Sequence, residues 1–282
     1  MKERGIARGK KRFVGLLFFM FLLLVLAGCG GKREATKLTV YGFQAGAADS
    51  FLLTTANASL LIDCGEADDG EAIVTYLKEH GIDKLDYLVV THFDKDHVGG
   101  AADVLGAIKV ERVLQSNHPK DAEAYYSYVE ALAEAGIEAK TVTKELSFTL
   151  DGVQYKVNPP AGGYEHDKSN NSSLILSAVN GDDRLLFMGD AEDERIAEFL
   201  TLGWGTFDFL KVPHHGREGE LSTKLFESVR PKIAIITSSE DEPEDEEVVT
   251  ALKDVGAEVY LTIDGAVLIE SEGNGVRVRK DN

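Results

Sequence analysis

Cysteine is scarce: Cys29 and Cys64 are the only two in 282 residues, too few for a disulfide framework. Cys64 follows the apolar run Leu60-Leu61-Ile62 and is expected as a small buried residue rather than a reactive thiol. Positive charge is also in deficit, with 30 Lys and Arg against 48 Asp and Glu and a net charge of −18. Residues 1–28 hold six of those basic residues and one acidic residue, so the remainder carries 24 against 47, a net charge of −23. Such a surface repels polyanions within the screening length, which counts against tight sequence-independent binding of nucleic acid. A bound metal pair would reverse that sign locally. No internal repeat is visible, and no linker is long enough to divide the chain. The content of 44% hydrophobic and 28% charged residues supports one large globular domain, or two.

The N-terminus has what the rest lacks. Lys2, Arg4, Arg8, Lys10, Lys11 and Arg12 form a basic stretch, Phe13 to Ala27 is continuously apolar, and Leu26-Ala27-Gly28-Cys29 follows with small residues ending in cysteine. This resembles the lipobox of bacterial lipoproteins, in which the signal is removed and the cysteine becomes a lipidated N-terminus. Residues 1–28 are therefore expected to be a signal peptide, residues 29–37 a tether, and residues 38–282 the working domain. The alternative is an uncleaved membrane anchor. Either way, the domain is expected at the extracellular face of the cell membrane, held there by lipid on Cys29 or by the anchor.

Leu38–Tyr41, Ser50–Thr54 and Ser59–Ile62 read as three strands in an antiparallel meander, and a helix follows from Asp69 to a stop at Gly81. The strand Tyr87–Val90 leads into a polar loop, and a helix over Val98–Ile108 is expected to begin at that loop. Further strands are expected at Val110–Leu114, Ala139–Val142, Leu146–Leu150 and Val153–Val157, with Asp151-Gly152 as a type I′ turn. A helix over Asp121–Ala135 carries Tyr125, Tyr126, Val129 and Leu132. Leu174–Val179 and Arg184–Met188 pair across Asn180-Gly181-Asp182-Asp183, and strands and helices then alternate to a closing pair at Ala266–Glu270 and Val276–Lys280. Strand-rich halves with helices in both predict an α/β fold of two sheets packed face to face, helices outside. The acidic tract Glu240 to Glu247 is expected as a solvated helix N-terminus.

Chemistry concentrates at Thr91-His92-Phe93-Asp94-Lys95-Asp96-His97-Val98-Gly99-Gly100, directly behind the apolar strand. Two imidazoles and two carboxylates in six positions are poor core material, because unpaired buried charge is costly, and good ligands for a divalent ion. Three later segments bring polar residues to strand ends: Gly189-Asp190-Ala191-Glu192, Pro213-His214-His215-Gly216, and Ser169-Asn170-Asn171-Ser172-Ser173 before the Leu174 strand. Four polar loops at strand ends on one edge make a site, because such ends converge in space. Two ions there would provide a metal-bound hydroxide and clamp a phosphoryl or acyl oxygen. Asp63, at a strand end, is a candidate acceptor for a ligand histidine's other N–H, or a turn residue. His118, in Ser116-Asn117-His118-Pro119, is a candidate catalytic contact to substrate, and His166 is a weaker one on a loop. His80 reads as a charge at a helix C-terminus.

The cluster His92-x-Asp94-x-Asp96-His97 with Gly99-Gly100 resembles the signature of the metallo-β-lactamase fold hydrolases. Asp94 in place of the more frequent histidine is similar to the hydrolase domain of competence-type (ComEC-like) DNA-uptake proteins. Gly46-Ala47-Ala48-Asp49-Ser50, Leu61-Ile62-Asp63-Cys64-Gly65, Asn171-Ser172-Ser173-Leu174, Gly189-Asp190 and Leu210-Lys211-Val212-Pro213-His214-His215-Gly216 extend the match over roughly residues 38–270. The resemblance implies an αββα sandwich of two mixed sheets with outer helices and a metal site at one edge. It implies that Asp96 and His97, completed by one of His214 and His215, bind one ion, that His92 and Asp94 bind another, and that Asp190 bridges the two. Asp96 carries a catalytic role as well. The family's third histidine for the His92 ion is missing, with only Asn170 and Asn171 near its place. Amide oxygens suit harder ions, so the expected cofactors are two divalent ions, Zn²⁺ or Mn²⁺, with Mg²⁺ also admissible. Gln44 and Ala47 depart from the family's N-terminal motif, leaving Asp49 without its usual neighbours.

The leading expectation is a secreted, membrane-tethered, metal-dependent hydrolase of a phosphodiester, in nucleic acid or in a cell-wall or lipid substrate. The alternatives are an amide or lactone hydrolase of the β-lactamase kind, and a non-catalytic metal-binding lipoprotein. No protein partner is expected.

Overall fold

A computed structural model describes residues 35–162 and 169–280, together with Met1. The expected signal segment, Cys29 with the first part of the tether, and His166 lie outside the described residues. The first half runs β1 (Leu38–Gly42), β2 (Phe51–Thr54), β3 (Ser59–Ile62), α1 (Gly70–Glu79), β4 (Lys84–Leu85), β5 (Tyr87–Val90), α2 (Lys95–Val98), α3 (Ala101–Ala107), β6 (Lys109–Val110), β7 (Val113–Gln115), α4 (Glu123–Ala135) and β8 (Lys140–Thr141). The second runs β9 (Leu146–Leu150), β10 (Val153–Asn158), β11 (Ile175–Asn180), β12 (Asp183–Phe187), α5 (Asp193–Thr201), β13 (Phe209–Lys211), α6 (Ser222–Val229), β14 (Ile233–Ile236), α7 (Glu246–Asp254), β15 (Glu258–Leu261), β16 (Val267–Ser271) and β17 (Val276–Lys280). No helix of the described residues is long and apolar enough to cross a membrane.

Two large mixed sheets result, ordered β17-β16-β1-β2-β3-β5-β7-β8 and β15-β14-β13-β12-β11-β10-β9. The opening meander is antiparallel as expected, and β3, β5 and β7 then run parallel, because each pair is joined by a helical crossover. The second sheet is antiparallel from β9 to β12 and parallel from β12 to β15. Its central strands β11 to β14 are buried on both faces, since one faces the partner sheet and the other a helix layer, whereas β9 and β10 expose Ser147, Thr149 and Gln154. The alternation is visible residue by residue. Phe51, Leu53, Leu60, Ile62 and Val89 meet Leu176, Phe187, Phe209, Ile233 and Ile235 between the sheets. Leu52, Leu61, Leu88 and Val90 face outward to Ile73, Leu77, Val104 and Leu132 of the helices. Ile175, Leu186, Leu210 and Ile236 do the same against Phe199, Leu225, Phe226 and Leu252. At roughly 1.5–3 kcal/mol for each fully buried large apolar side chain, both faces hold the layers together.

Three local expectations need correction. The run Val110–Leu114 is two strands: β6 pairs with β4, and after a break at Glu111-Arg112 β7 pairs with β5. On α4 the helical period carries Tyr128 and Leu132 inward and leaves Tyr126 and Val129 exposed. The helix expected from Val98 begins earlier, at Lys95 inside the polar cluster, and continues through Gly99-Gly100 into α3. Those glycines are required by close approach. A Cβ at Gly99 would stand 2.5 Å from the Ala67 nitrogen, and one at Gly100 would stand 2.8 Å from the Gly70 Cα. The Asp63–Gly70 segment therefore lies flat on the glycine pair, which presses Asp63 against the cluster.

Candidate metal centre

The loops leaving β3, β5, β12 and β13 meet where the two sheets come together. Four donors converge there: Asp96, His97, Asp190 and His215 each offer one ligand atom, and these atoms all lie within 4.8 Å of one another. His215 Nε2 is 3.1 Å from Asp96 Oδ2 and 3.1 Å from Asp190 Oδ2, and His97 Nε2 is 3.2 Å from Asp190 Oδ2. His97, Asp190 and His215 are buried.

The far side of each imidazole is held by a buried partner. His97 Nδ1 lies 2.8 Å from Asp63 Oδ2, and the Asp63 carboxylate also accepts the Thr91 N–H at 2.7 Å and the Thr91 hydroxyl at 2.6 Å. His215 Nδ1 lies 2.8 Å from Thr237 Oγ1, whose hydroxyl donates to Asp49 Oδ1 at 2.8 Å. The Asp63 carboxylate can only accept, and Thr237 gives its own hydrogen to Asp49, so both Nδ1 positions are donors and both Nε2 atoms are turned to the cluster. Asp63 supports this from a left-handed backbone, φ 57°, a conformation that Asp tolerates better than most side chains.

Charge is dense here. Burial alone would push His97 down, but the carboxylates of Asp190, Asp63 and Asp49 hold its pKa well above the ordinary imidazole value. Against the same burial, Asp190 and Asp96 raise His215 to about 9. Asp190 sits well below the carboxylate range, because His215, His97 and Lys211 outweigh its burial. His92 goes the other way, pushed down to about 4 by burial and then by the neighbouring His97. Beneath the cluster, the buried Lys211 pairs with Asp49 and lies 3.5 Å from Asp190 Oδ1, and its ammonium donates to the Gly189 carbonyl at 3.1 Å.

The second position is less complete. His92 Nε2 is buried and makes no hydrogen bond among the described residues, and its nearest carboxylate is Asp94 Oδ1 at 3.9 Å. The His92 and His97 rings lie 4.1 Å apart, centroid to centroid. A buried imidazole nitrogen with no hydrogen-bond partner beside four converging donors fits a divalent ion, which would compensate its desolvation. Asp94 is engaged elsewhere: its Oδ1 pairs with Lys120 Nζ at 2.7 Å and its Oδ2 accepts from the Ser169 hydroxyl at 3.0 Å.

Of the adjacent histidines, His215 faces the cluster and His214 does not. Both occupy left-handed backbone, φ 49° and 51°, and the sharp turn sends their rings apart. His214 Nε2 lies 3.1 Å from Asn170 Nδ2, and its Nδ1 lies 3.6 Å from Glu192 Oε1, so of the two histidines left open as the ligand His215 is the one turned to the cluster and His214 stands at the rim. It lines a cavity of about 400 Å³ with Asn171, Glu192, Arg217 and Glu218. Asn171 does not supply the missing ligand either, because its Oδ1 accepts the Arg195 N–H at 3.1 Å. His118, half-buried in the loop after β7, is not among the converging donors. Sequence reasoning missed Lys120 and Lys211. For Lys211 the signal was present: a lysine on the same strand face as Phe209, pointing between the sheets, must have a buried anion to meet.

Comparison with known proteins agrees with this geometry. ComE operon protein 3 of Bacillus subtilis (strain 168) is 30% identical over 176 residues, which is 61% of this chain and 22% of that protein. Recombination protein 2 of Haemophilus influenzae is 25% identical over 236 residues, 81% of this chain and 27% of that protein. The chain thus spans about a quarter of the length of these curated relatives. Among solved structures, the metallo-beta-lactamase fold protein YhfI from Bacillus subtilis superposes with a TM-score of 0.58 at 12% identity, covering 84% of this chain and 100% of that one, a likeness of fold alone. With the family model of the metallo-beta-lactamase superfamily matching residues 44–238, the chain belongs to that superfamily.

Proposed function

We propose that the chain is a metal-dependent hydrolase of phosphodiesters, tethered by lipid on Cys29 at the outer face of the cell membrane. The observation that carries the catalytic part is the convergence of Asp96, His97, Asp190 and His215 donor atoms within 4.8 Å. Those four residues would hold one divalent ion, and His92 and Asp94, sharing Asp190, would hold the other. When bound, such ions activate water as a nucleophile and neutralise charge on the attacked group. Asp63 and Thr237 keep the Nδ1 protons of His97 and His215 in place, so neither ring turns its lone pair away. Lys211 balances part of the carboxylate charge from below. His118 and Lys120, on the loop after β7, are the substrate-side residues of this reading.

A phosphoester is favoured over a β-lactam by the donor set. Asp94 replaces an imidazole and no third histidine completes the His92 position, which suits oxygen-preferring ions such as Mn²⁺. The names of two relatives, Recombination protein 2 and Competence protein ComA, lean towards nucleic acid, whereas the net charge of −18 disfavours a long polyanion and leans towards a wall or lipid phosphodiester. The common chemistry is the phosphodiester.

Hydrolysis of bis-p-nitrophenyl phosphate with Mn²⁺ is expected in the wild type and lost by about 100-fold or more in Asp96→Ala and Asp190→Ala, as when a metal ligand is removed from a catalytic site. Equal rates in all three proteins refute the assignment. Nitrocefin turnover without phosphodiester cleavage transfers it to amide hydrolysis. Cys29→Ser is expected to abolish palmitate labelling and release the domain from membranes, and an unchanged membrane fraction refutes the tether.

A further inference from the structure

The two metal positions differ in what competes for them. Asp96, His97, Asp190 and His215 have donor atoms gathered at one point, and Lys211 reaches this group only at Asp190 Oδ1, 3.5 Å away, leaving the Oδ2 that faces His97 and His215 open. At the other position, both oxygens of Asp94 are engaged, one by the Lys120 ammonium at 2.7 Å and one by the Ser169 hydroxyl at 3.0 Å. The same ammonium lies 3.3 Å from Ser169 Oγ, so it sits between the two loops that frame His92. Resting on the metal centre proposed above, we propose that Lys120 guards the His92–Asp94 position and thereby sets the order of loading. The four-donor position fills first and tightly; the other fills second, as the incoming ion displaces the ammonium from Asp94.

Electrostatics and reach support this order. The ammonium holds Asp94 Oδ1, the same oxygen that lies nearest His92 Nε2, so an ion arriving there is repelled until the lysine leaves; at Asp190, by contrast, Lys211 stands on Oδ1 while His97 and His215 face Oδ2. The lysine can leave, because its side chain is 36% exposed and stands on a flexible four-carbon stem in a loop. The entering ion gains fewer protein ligands in return. His92 Nε2 is free to serve, but Asn171 Oδ1 already accepts the Arg195 N–H, and among the described residues no converging group of carboxylates and imidazoles includes His92. Fewer ligands and a resident competitor both weaken the second binding step. Once expelled, the ammonium remains on the loop bordering the site, available to an anionic group of the substrate.

The test is a titration of the full chain, solubilised in detergent and stripped by chelation, with Mn²⁺, reading free Mn²⁺ by electron paramagnetic resonance. The wild type is expected to bind one equivalent tightly and a second at least about tenfold more weakly, a gap of about 1.4 kcal/mol. Lys120→Met is expected to tighten the second equivalent by about tenfold and leave the first unchanged, whereas Lys120→Arg keeps the wild-type gap. Two equivalents of equal affinity in the wild type, or a second equivalent that Lys120→Met does not tighten, overturns the guard. Binding of no Mn²⁺ by any of the three overturns the metal centre itself. Unequal, Lys120-dependent loading in a protein that cleaves no phosphodiester leaves the guard standing and removes the proposed function.

Discussion

In the metal-free chain the protons on His97 and His215 stand where a cation is wanted, and this links folding stability to pH. His215 rises from the ordinary 6.5 to about 9 because Asp190 and Asp96 outweigh the cost of its burial. A histidine whose folded pKa is raised contributes its full stabilisation below the unfolded value and loses it as pH climbs to the folded value. At about 1.4 kcal/mol per unit, this shift is worth about 3 kcal/mol below pH 6.5 and nothing above pH 9. His97 is shifted in the same direction and adds to the slope. Chelated protein should therefore lose stability steadily between pH 6.5 and 9, while Mn²⁺-loaded protein, whose ligand histidines are neutral, should not. Guanidinium unfolding at pH 6.5, 7.5 and 9, followed by the fluorescence of the single tryptophan, Trp204, measures both. Chelated protein whose stability is flat or rises over that interval refutes the reasoning, because the carboxylates around the two rings would then not be holding protons there.

Asp63→Asn removes the carboxylate that holds the Nδ1 proton of His97, and Mn²⁺ affinity measured by chelator competition should fall about 10–100-fold; an unchanged affinity shows that the contact does not orient the ring. Lys211→Met leaves Asp49 and Asp190 buried without their cation and should cost about 3–5 kcal/mol in urea unfolding of the chelated protein; a loss below about 1 kcal/mol would mean that the two carboxylates find other partners. Gly100→Ala drives a Cβ into the backbone of Gly70 and the Cys64 carbonyl and should cost about 1–3 kcal/mol, whereas Gly106→Ala in the same stretch, where nothing lies within 4 Å, should instead stabilise by about 0.5–1 kcal/mol.

The part of the centre legible in the sequence is the part encoded locally. His92, Asp94, Asp96 and His97 fall within six consecutive positions behind a buried strand, so spacing alone shows that they leave the same strand end together. Asp190 and the histidine pair are legible as strand-end residues, because parallel neighbours such as β12 and β13 bring their ends together. The choice between His214 and His215 is not legible, since it turns on two successive left-handed residues that spacing does not encode. Lys120 was hidden for another reason. It is distant in sequence from Asp94 and sits in a polar loop where a lysine excites no suspicion, and only the meeting of that loop with residue 169 reveals its partner. The sandwich was legible because the strands alternate between two apolar faces. The break at Glu111-Arg112 was not, because two charged residues within a short strand also read as its solvent side, and only the pairing of β6 with β4 and of β7 with β5 divides the run.

The closing hairpin has a consequence for how the molecule is made. β1 is covered on one side by β2, but its other neighbour is β16, with Leu38 opposite Ser271 and Gly42 opposite Val267. A ribosome delivers β16 long after β1, so the backbone N–H and C=O groups along that edge wait for every element between them to appear. Pairing across such a separation is slow, and an uncovered edge invites pairing with a neighbouring chain. A protein shortened before Val267 would keep every metal ligand named above and still present an open strand, so its failure would show as aggregation rather than as a defective site.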